Sequence, residues 1–143
     1  MKRIKIRFLA VSLLVASICG CATTAQERIL DLSQDQLKLR SIQTRAFDTS
    51  DKEKMMRSIM ATLQDLDFVL TKADYDLGIV SATKFVDNQV LKMTVITREK
   101  GSKQLLVRAN AQYGIKAINS PGPYQNFFDA LAKSVFLTAQ QID

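Results

Sequence analysis

Three successive segments between residues 79 and 113 have the composition and alternation of β-strands, and this series constrains the fold most. Residues 79–86 are rich in β-branched and small side chains, and residues 90–98 and 103–113 follow after short turns. Asp87-Asn88 fits a two-residue hairpin turn. In the last segment apolar residues alternate with polar ones, so we expect one face of the sheet to be buried and the other to contact solvent.

Two amphipathic helices are predicted, one before and one after these strands in the sequence. Ser50 is the predicted N-cap of the first, with Glu53 three residues later completing a capping box, and this helix should end near residue 66. The second should follow a loop at residues 115–123 that contains both prolines. Apolar residues recur at helical spacing in both segments: Met56, Ile59, Met60 and Leu63 in the first, and Tyr124, Phe127, Phe128, Leu131 and Val135, widened by Phe136 and Leu137, in the second.

Two further strands complete the predicted fold. Residues 37–47 are predicted to form a strand with a bend near Ser41, because the apolar positions change face there. Residues 68–71 should form a short strand after Asp67, which suits a left-handed backbone at the end of the first helix. The order is therefore β-α-β-β-β-β-α. We expect an α+β fold, a mostly antiparallel sheet with two helices packed on one face, in a helix-grip-like arrangement.

The first 21 residues have the features of a secretory signal. Four basic residues precede an apolar run of about 11 residues, which is shorter than the roughly 20 needed to span a bilayer. A small residue, Gly20, stands before Cys21. A signal of this kind is expected to be removed from the mature protein.

This segment resembles a bacterial lipoprotein signal with its lipobox, although Cys19 stands where Ala, Ser or Thr is usual. The resemblance implies that the signal is cleaved between Gly20 and Cys21. It also implies that Cys21 is lipidated and becomes the first residue of the mature protein, anchored in a membrane. Ala22 follows instead of the Asp that commonly retains such proteins in the inner membrane, which implies the outer membrane, facing the periplasm. The predicted divisions are a signal peptide at 1–20, a lipidated N-terminus and polar tether at 21–36, and one periplasmic domain at 37–143.

Charge and residue inventory exclude several classes of function. Residues 21–143 contain 16 basic against 14 acidic residues, a net charge of +2, because four of the 20 basic residues precede Cys21. Such scattered charge predicts no nucleic-acid partner. The chain has no histidine, the commonest general base and transition-metal ligand, and no glycine-rich phosphate loop. We therefore expect no enzyme activity, no cofactor and no metal.

The domain also resembles a group of small proteobacterial lipoproteins without assigned activity. The segments that carry this resemblance are residues 41–48, 62–68 and 76–84, with residues 127–137 similar to the C-terminal helix of that group. The order of elements more distantly resembles the helix-grip domains of the accessory lipoprotein in the outer-membrane β-barrel assembly machinery. Both resemblances imply a lipid-anchored α+β domain, and fold analogy alone assigns no function.

Two functions remain open from the sequence. The first is a scaffold that binds another envelope protein through a sheet edge, the solvent-exposed sheet face or the loop at residues 115–123. That loop offers Ile115, Ile118, Pro121 and Pro123. Cationic strand residues could add a surface that recognises charge: Lys84, Lys92, Arg98 and Arg108. The alternative is a carrier or sensor of a small apolar ligand, held between the last helix and the sheet by Met93, Tyr113, Phe127 and Leu131.

Overall fold

The computed structural model describes residues 35–140, with the side chains of residues 137–140 excepted. The proposed cleavage and lipidation residues, Gly20 and Cys21, lie outside the described residues. Contacts divide the chain into two units, Met1–Lys38 and Leu39–Asp143. The second unit contains the whole sheet and the helices that pack on it.

Five consecutive strands follow the second helix without a helix between them, as expected for an α+β protein. Residues 35–42 are helical, and we call this segment α1. They are followed by β1 (Thr44–Phe47), α2 (Lys52–Asp65), β2 (Val69–Asp74), β3 (Ile79–Val86), β4 (Gln89–Lys100), β5 (Gln104–Tyr113), β6 (Lys116–Ala117) and α3 (Gly122–Gln140). The predicted α+β class and antiparallel sheet are therefore confirmed.

The first predicted strand is wrong over its first half. Residues 35–42 form a helix, and only Thr44–Phe47 are extended. The amide of Gln43 donates to the Leu39 carbonyl at 3.1 Å, which is the i to i−4 bond of a helical turn. The change of face that suggested a bend near Ser41 is instead the periodicity of a helix, since Leu39 and Ile42 are three residues apart.

All strand pairs are antiparallel, and the order across the sheet is β1-β5-β4-β3-β2. β6 pairs with β5 on the same side as β1. The β3–β4 turn has positive φ at both Asp87 and Asn88, 46° and 66°, as the predicted primed turn requires. Register between β2 and β3 shifts at residues 70–72, so β2 carries a bulge.

The core lies between one face of the sheet and the two helices α2 and α3. Its sheet residues alternate along β3, β4 and β5, and its helix residues are the predicted apolar stripes. The fully or nearly fully buried members include Met55, Met56, Ile59, Leu63, Val80, Ala82, Met93, Val95, Leu105, Val107, Ala109, Ala111, Tyr124, Phe127, Phe128 and Leu131. Ile42, Met60 and Val135 pack against this cluster, whereas Phe136 of α3 is 62% exposed and does not widen the stripe as predicted.

Two helix ends were predicted from single residues. The N-cap of α2 is Asp51, whose carboxylate accepts from the Lys54 amide at 2.8 Å, so the prediction of Ser50 is wrong by one residue. Both residues are good N-caps, and sequence does not separate them. Asp67, after the end of α2, has φ of 64°, and the predicted left-handed turn is confirmed.

Candidate functional site

Because every described helix that packs on the core does so from one side, the opposite side of the sheet forms a separate surface. We call this surface the open face. Strand register assigns to it alternate residues of each strand, among them Thr83 and Phe85 of β3 and Ile96 and Arg98 of β4. Its side chains are half-buried or exposed in the described structure.

Exposed apolar residues gather where the open face reaches one end of the sheet. Val69 begins β2, Phe85 lies near the end of β3, Val90 lies near the start of β4, and Ile115 follows β5. Their exposed fractions are 69%, 82%, 37% and 97%. In an antiparallel meander these four positions fall at the same end, which we call the apolar end.

The four residues of the apolar end lie next to one another. Phe85 and Val90 are cross-strand partners on the same face. Val69 and Phe85 both line a concavity of about 390 Å³ at the β2–β3 side. The Gly114 amide donates to the Val90 carbonyl at 2.9 Å, which holds Ile115 next to the start of β4. Exposed apolar surface of this kind marks interaction sites more often than scattered single residues do.

The predicted partner loop is divided by the structure. Ile115 is almost fully exposed and lies at the apolar end, but Ile118 packs against the core, and its amide donates to the Ala111 carbonyl at 2.9 Å. Lys116–Ala117 between them form β6, so the segment is not a simple loop. Pro121 is exposed and Pro123 is half-buried. Of the four predicted residues, the structure places only Ile115 beside the other exposed apolar side chains.

The predicted ligand groove lies inside the core. Phe127 and Leu131 have no accessible surface and Met93 is 2% exposed. An internal space wide enough for water would expose the side chains that line it, so Phe127 and Leu131 are close-packed. Tyr113 lies apart at the end of β5, where its hydroxyl donates to the Val86 carbonyl at 3.0 Å. The described packing therefore favours a solid core over a binding space at these residues.

The four predicted cationic residues lie on two different faces. Lys92, Arg98 and Arg108 are exposed on the open face. Lys84 faces the helices, where its Nζ donates to the Leu66 carbonyl at 3.1 Å and lies 5.0 Å from the centre of the Phe68 ring. Lys84 therefore binds a carbonyl at the end of α2 and also makes a cation–π contact with Phe68, just after that helix.

Sequence reasoning missed the apolar end because Phe85 lies in a run that reads as a buried strand. Its exposure follows only from the register, which places odd-numbered residues of β3 on the open face. The described residues include no cluster of three or more His, Cys, Asp or Glu side chains that could hold a metal ion. Within residues 35–140, no helix combines the length and the apolar character that crossing a bilayer requires.

Comparison with known proteins gives little further guidance. No family model and no curated protein matches the chain. One similar solved structure is described as the crystal structure of the adenylate sensor from AMP-activated protein kinase in complex with 5-aminoimidazole-4-carboxamide 1-beta-D-ribofuranotide (ZMP). It is 13% identical, with a TM-score of 0.48, over 64% of this chain and 94% of that one. At that TM-score the likeness establishes neither a shared fold nor a shared ligand.

Proposed function

We propose that this chain is a lipid-anchored lipoprotein of the outer membrane, facing the periplasm, that acts as a non-enzymatic scaffold and binds another envelope protein. The anchor is Cys21, which follows a short apolar run and a small residue. The binding surface is the apolar end of the open face. The observation that carries the binding proposal is the collection of Val69, Phe85, Val90 and Ile115 at one end of the sheet.

The exposure of Phe85 is the strongest element of this argument. A phenylalanine that leaves 82% of its surface in water loses most of the stabilisation that burial would provide, about 1.5–3 kcal/mol for a large apolar side chain. Aromatic side chains are enriched at the centres of protein interfaces, where that surface is recovered on binding. Its neighbours Val90 and Val69 extend the apolar area on both sides.

Site-specific photo-crosslinking in cells tests this proposal. A photoreactive phenylalanine analogue replaces Phe85 in the full anchored chain, and a second chain carries it at Phe136. Phe136 is a matched control, because it is a phenylalanine of comparable exposure, 62%, located on α3. We expect one dominant envelope protein to be captured from position 85 and not from position 136. Equal capture from both positions, or no protein captured from position 85, would contradict the proposal.

A further inference from the structure

The open face carries an excess of positive charge that the fold itself does not neutralise. Strand register places five cations on it: Lys72, Lys92, Arg98, Lys100 and Arg108. Asp74 lies on the same face, and its carboxylate is 3.7 Å from Lys72 Nζ. Asp48, at the β1 border, accepts a hydrogen bond from Gln104 at 2.5 Å. The other four cations have no ion pair with any described carboxylate.

Two of these cations lie close together. Arg98 is opposite Leu106, and Arg108 is opposite Ile96, so the two arginines are diagonal neighbours on adjacent strands. Diagonal positions on one face are about 7–8 Å apart, within reach of long side chains. Together with Ile96, Leu106 and Asn110 they line a concavity of about 170 Å³.

The guanidinium groups are poorly satisfied within the described structure. Arg108 approaches Gln43 Oε1 at 3.5 Å, which is long for a hydrogen bond, and Arg98 makes no hydrogen bond or ion pair with the described residues. Two like charges at neighbouring positions repel each other. An anion placed between them would remove this repulsion and accept hydrogen bonds from both, and guanidinium groups bind carboxylates in a bidentate manner.

We propose that Arg98 and Arg108 bind the carboxylates of an acidic segment of the partner protein, and that this segment runs along the open face to the apolar end. This inference rests on the proposed scaffold function and adds the chemistry of its partner. Val90 and Arg98 are eight residues apart on β4, about 26 Å at the rise of an extended strand. A single small molecule does not reach both areas, whereas a polypeptide segment does.

The shape of the arginine site favours a protein side chain over a membrane surface. Ile96 and Leu106 are half-buried and form an apolar floor between the exposed arginines. A carboxylate-bearing side chain is narrow enough to enter such a recess, with its methylene groups against the floor and its oxygens between the guanidinium groups. A bilayer surface is too broad to enter it.

The test uses a photoreactive residue at Gln112, an exposed open-face position on the same strand as Arg108. In the full anchored chain, we expect it to capture a partner segment that mass spectrometry shows to contain Asp or Glu. Arg98→Glu and Arg108→Glu should each lower the yield about tenfold, because repulsion replaces attraction. Lys133→Glu, the same charge change at an exposed site on α3, should leave the yield unchanged.

A charge exchange makes the result decisive. Replacing the captured acidic residue by Arg should restore crosslinking to the Arg98→Glu chain. Arg98→Gln serves as a second variant, with thermal unfolding to show that each variant folds. A captured segment without carboxylates, an unchanged yield in both arginine variants, or capture of phospholipid alone would overturn this inference. If position 85 still captures a protein in those cases, the scaffold proposal stands; if position 85 captures none, the scaffold proposal fails as well.

Discussion

The hydroxyl group of Tyr124 joins three parts of the domain that are distant in sequence. It donates to the Ile118 carbonyl at 2.6 Å and accepts from Gln43 Nε2 at 3.1 Å and from the Ala111 amide at 3.2 Å. These bonds fill the gap along β5 between β1 and β6, where no strand covers the Ala111 amide. A buried donor without a partner is costly, so this hydroxyl keeps that edge of β5 satisfied.

Tyr124→Phe is therefore expected to lower the free energy of unfolding by about 2–3 kcal/mol, because it leaves buried donors without an acceptor. Urea denaturation of the Cys21→Ser chain measures the change. Tyr75→Phe is the matched control, because Tyr75 is 44% exposed. Removal of its hydroxyl should change stability by less than about 0.5 kcal/mol. Equal effects of the two substitutions would show that the Tyr124 bonds do not stabilise the fold.

The packing around Leu131 decides between a solid core and a ligand space. In a close-packed site Leu131→Ala should cost about 2–5 kcal/mol, because it removes buried methyl groups and leaves a cavity. Phe136→Ala, on the same helix at an exposed position, should cost less than about 0.5 kcal/mol. Urea denaturation of both variants in the same conditions compares their free energies of unfolding. A negligible loss in Leu131→Ala would favour the carrier alternative.

At the scale of elements, β3, β4, β5 and the turns between them could be predicted, whereas the full length of β2, the existence of β6 and the start of the domain could not. Residues 79–86 form β3 with the predicted bounds, because the β-branched run ends at a turn pair with a strong positive-φ preference. In contrast, Leu39 and Ile42 fit both a strand that changes face and one side of a helix. The contacts that select the helix involve Gln43 and β5, and these lie more than 60 residues apart in sequence.

The turn after α2 gives a prediction at this scale. Asp67 has a φ of 64°, a conformation that costs a non-glycine residue about 1–2 kcal/mol. Asp67→Gly removes this strain but increases the entropy of the unfolded chain, which offsets part of the gain. The substitution should therefore raise stability by about 0.5–1 kcal/mol. Asp65→Gly, inside the last turn of α2, should lower stability by about 0.3 kcal/mol, because glycine forms helices less readily than aspartate by about that amount. Thermal unfolding of the two variants measures whether each substitution raises or lowers stability. A loss of stability in Asp67→Gly would contradict the left-handed turn.

At the scale of the whole molecule, the sequence predicted the class of fold but only part of the candidate site. Ile115 and the charged strand residues were identifiable from their types. Their grouping was not, because it depends on register: Phe85 falls beside Val90, and Arg98 beside Arg108, only once β3, β4 and β5 are aligned. Lys84 shows the opposite case. It is the residue before Phe85 in β3, and this difference of one position places its side chain on the helix side of the sheet.

The proposed function requires that Cys21 anchors the domain to a membrane. The most direct measurement separates cells expressing the full chain, Cys21→Ser and Cys19→Ser into soluble periplasmic and membrane fractions, with intact mass spectrometry of the purified protein. We expect the chain without substitutions and Cys19→Ser in the membrane fraction, both beginning at Cys21 with a mass increased by acyl groups. We expect Cys21→Ser in the soluble periplasmic fraction with no added lipid. Recovery of Cys21→Ser in the membrane fraction at the level of the chain without substitutions would contradict a lipid anchor at Cys21.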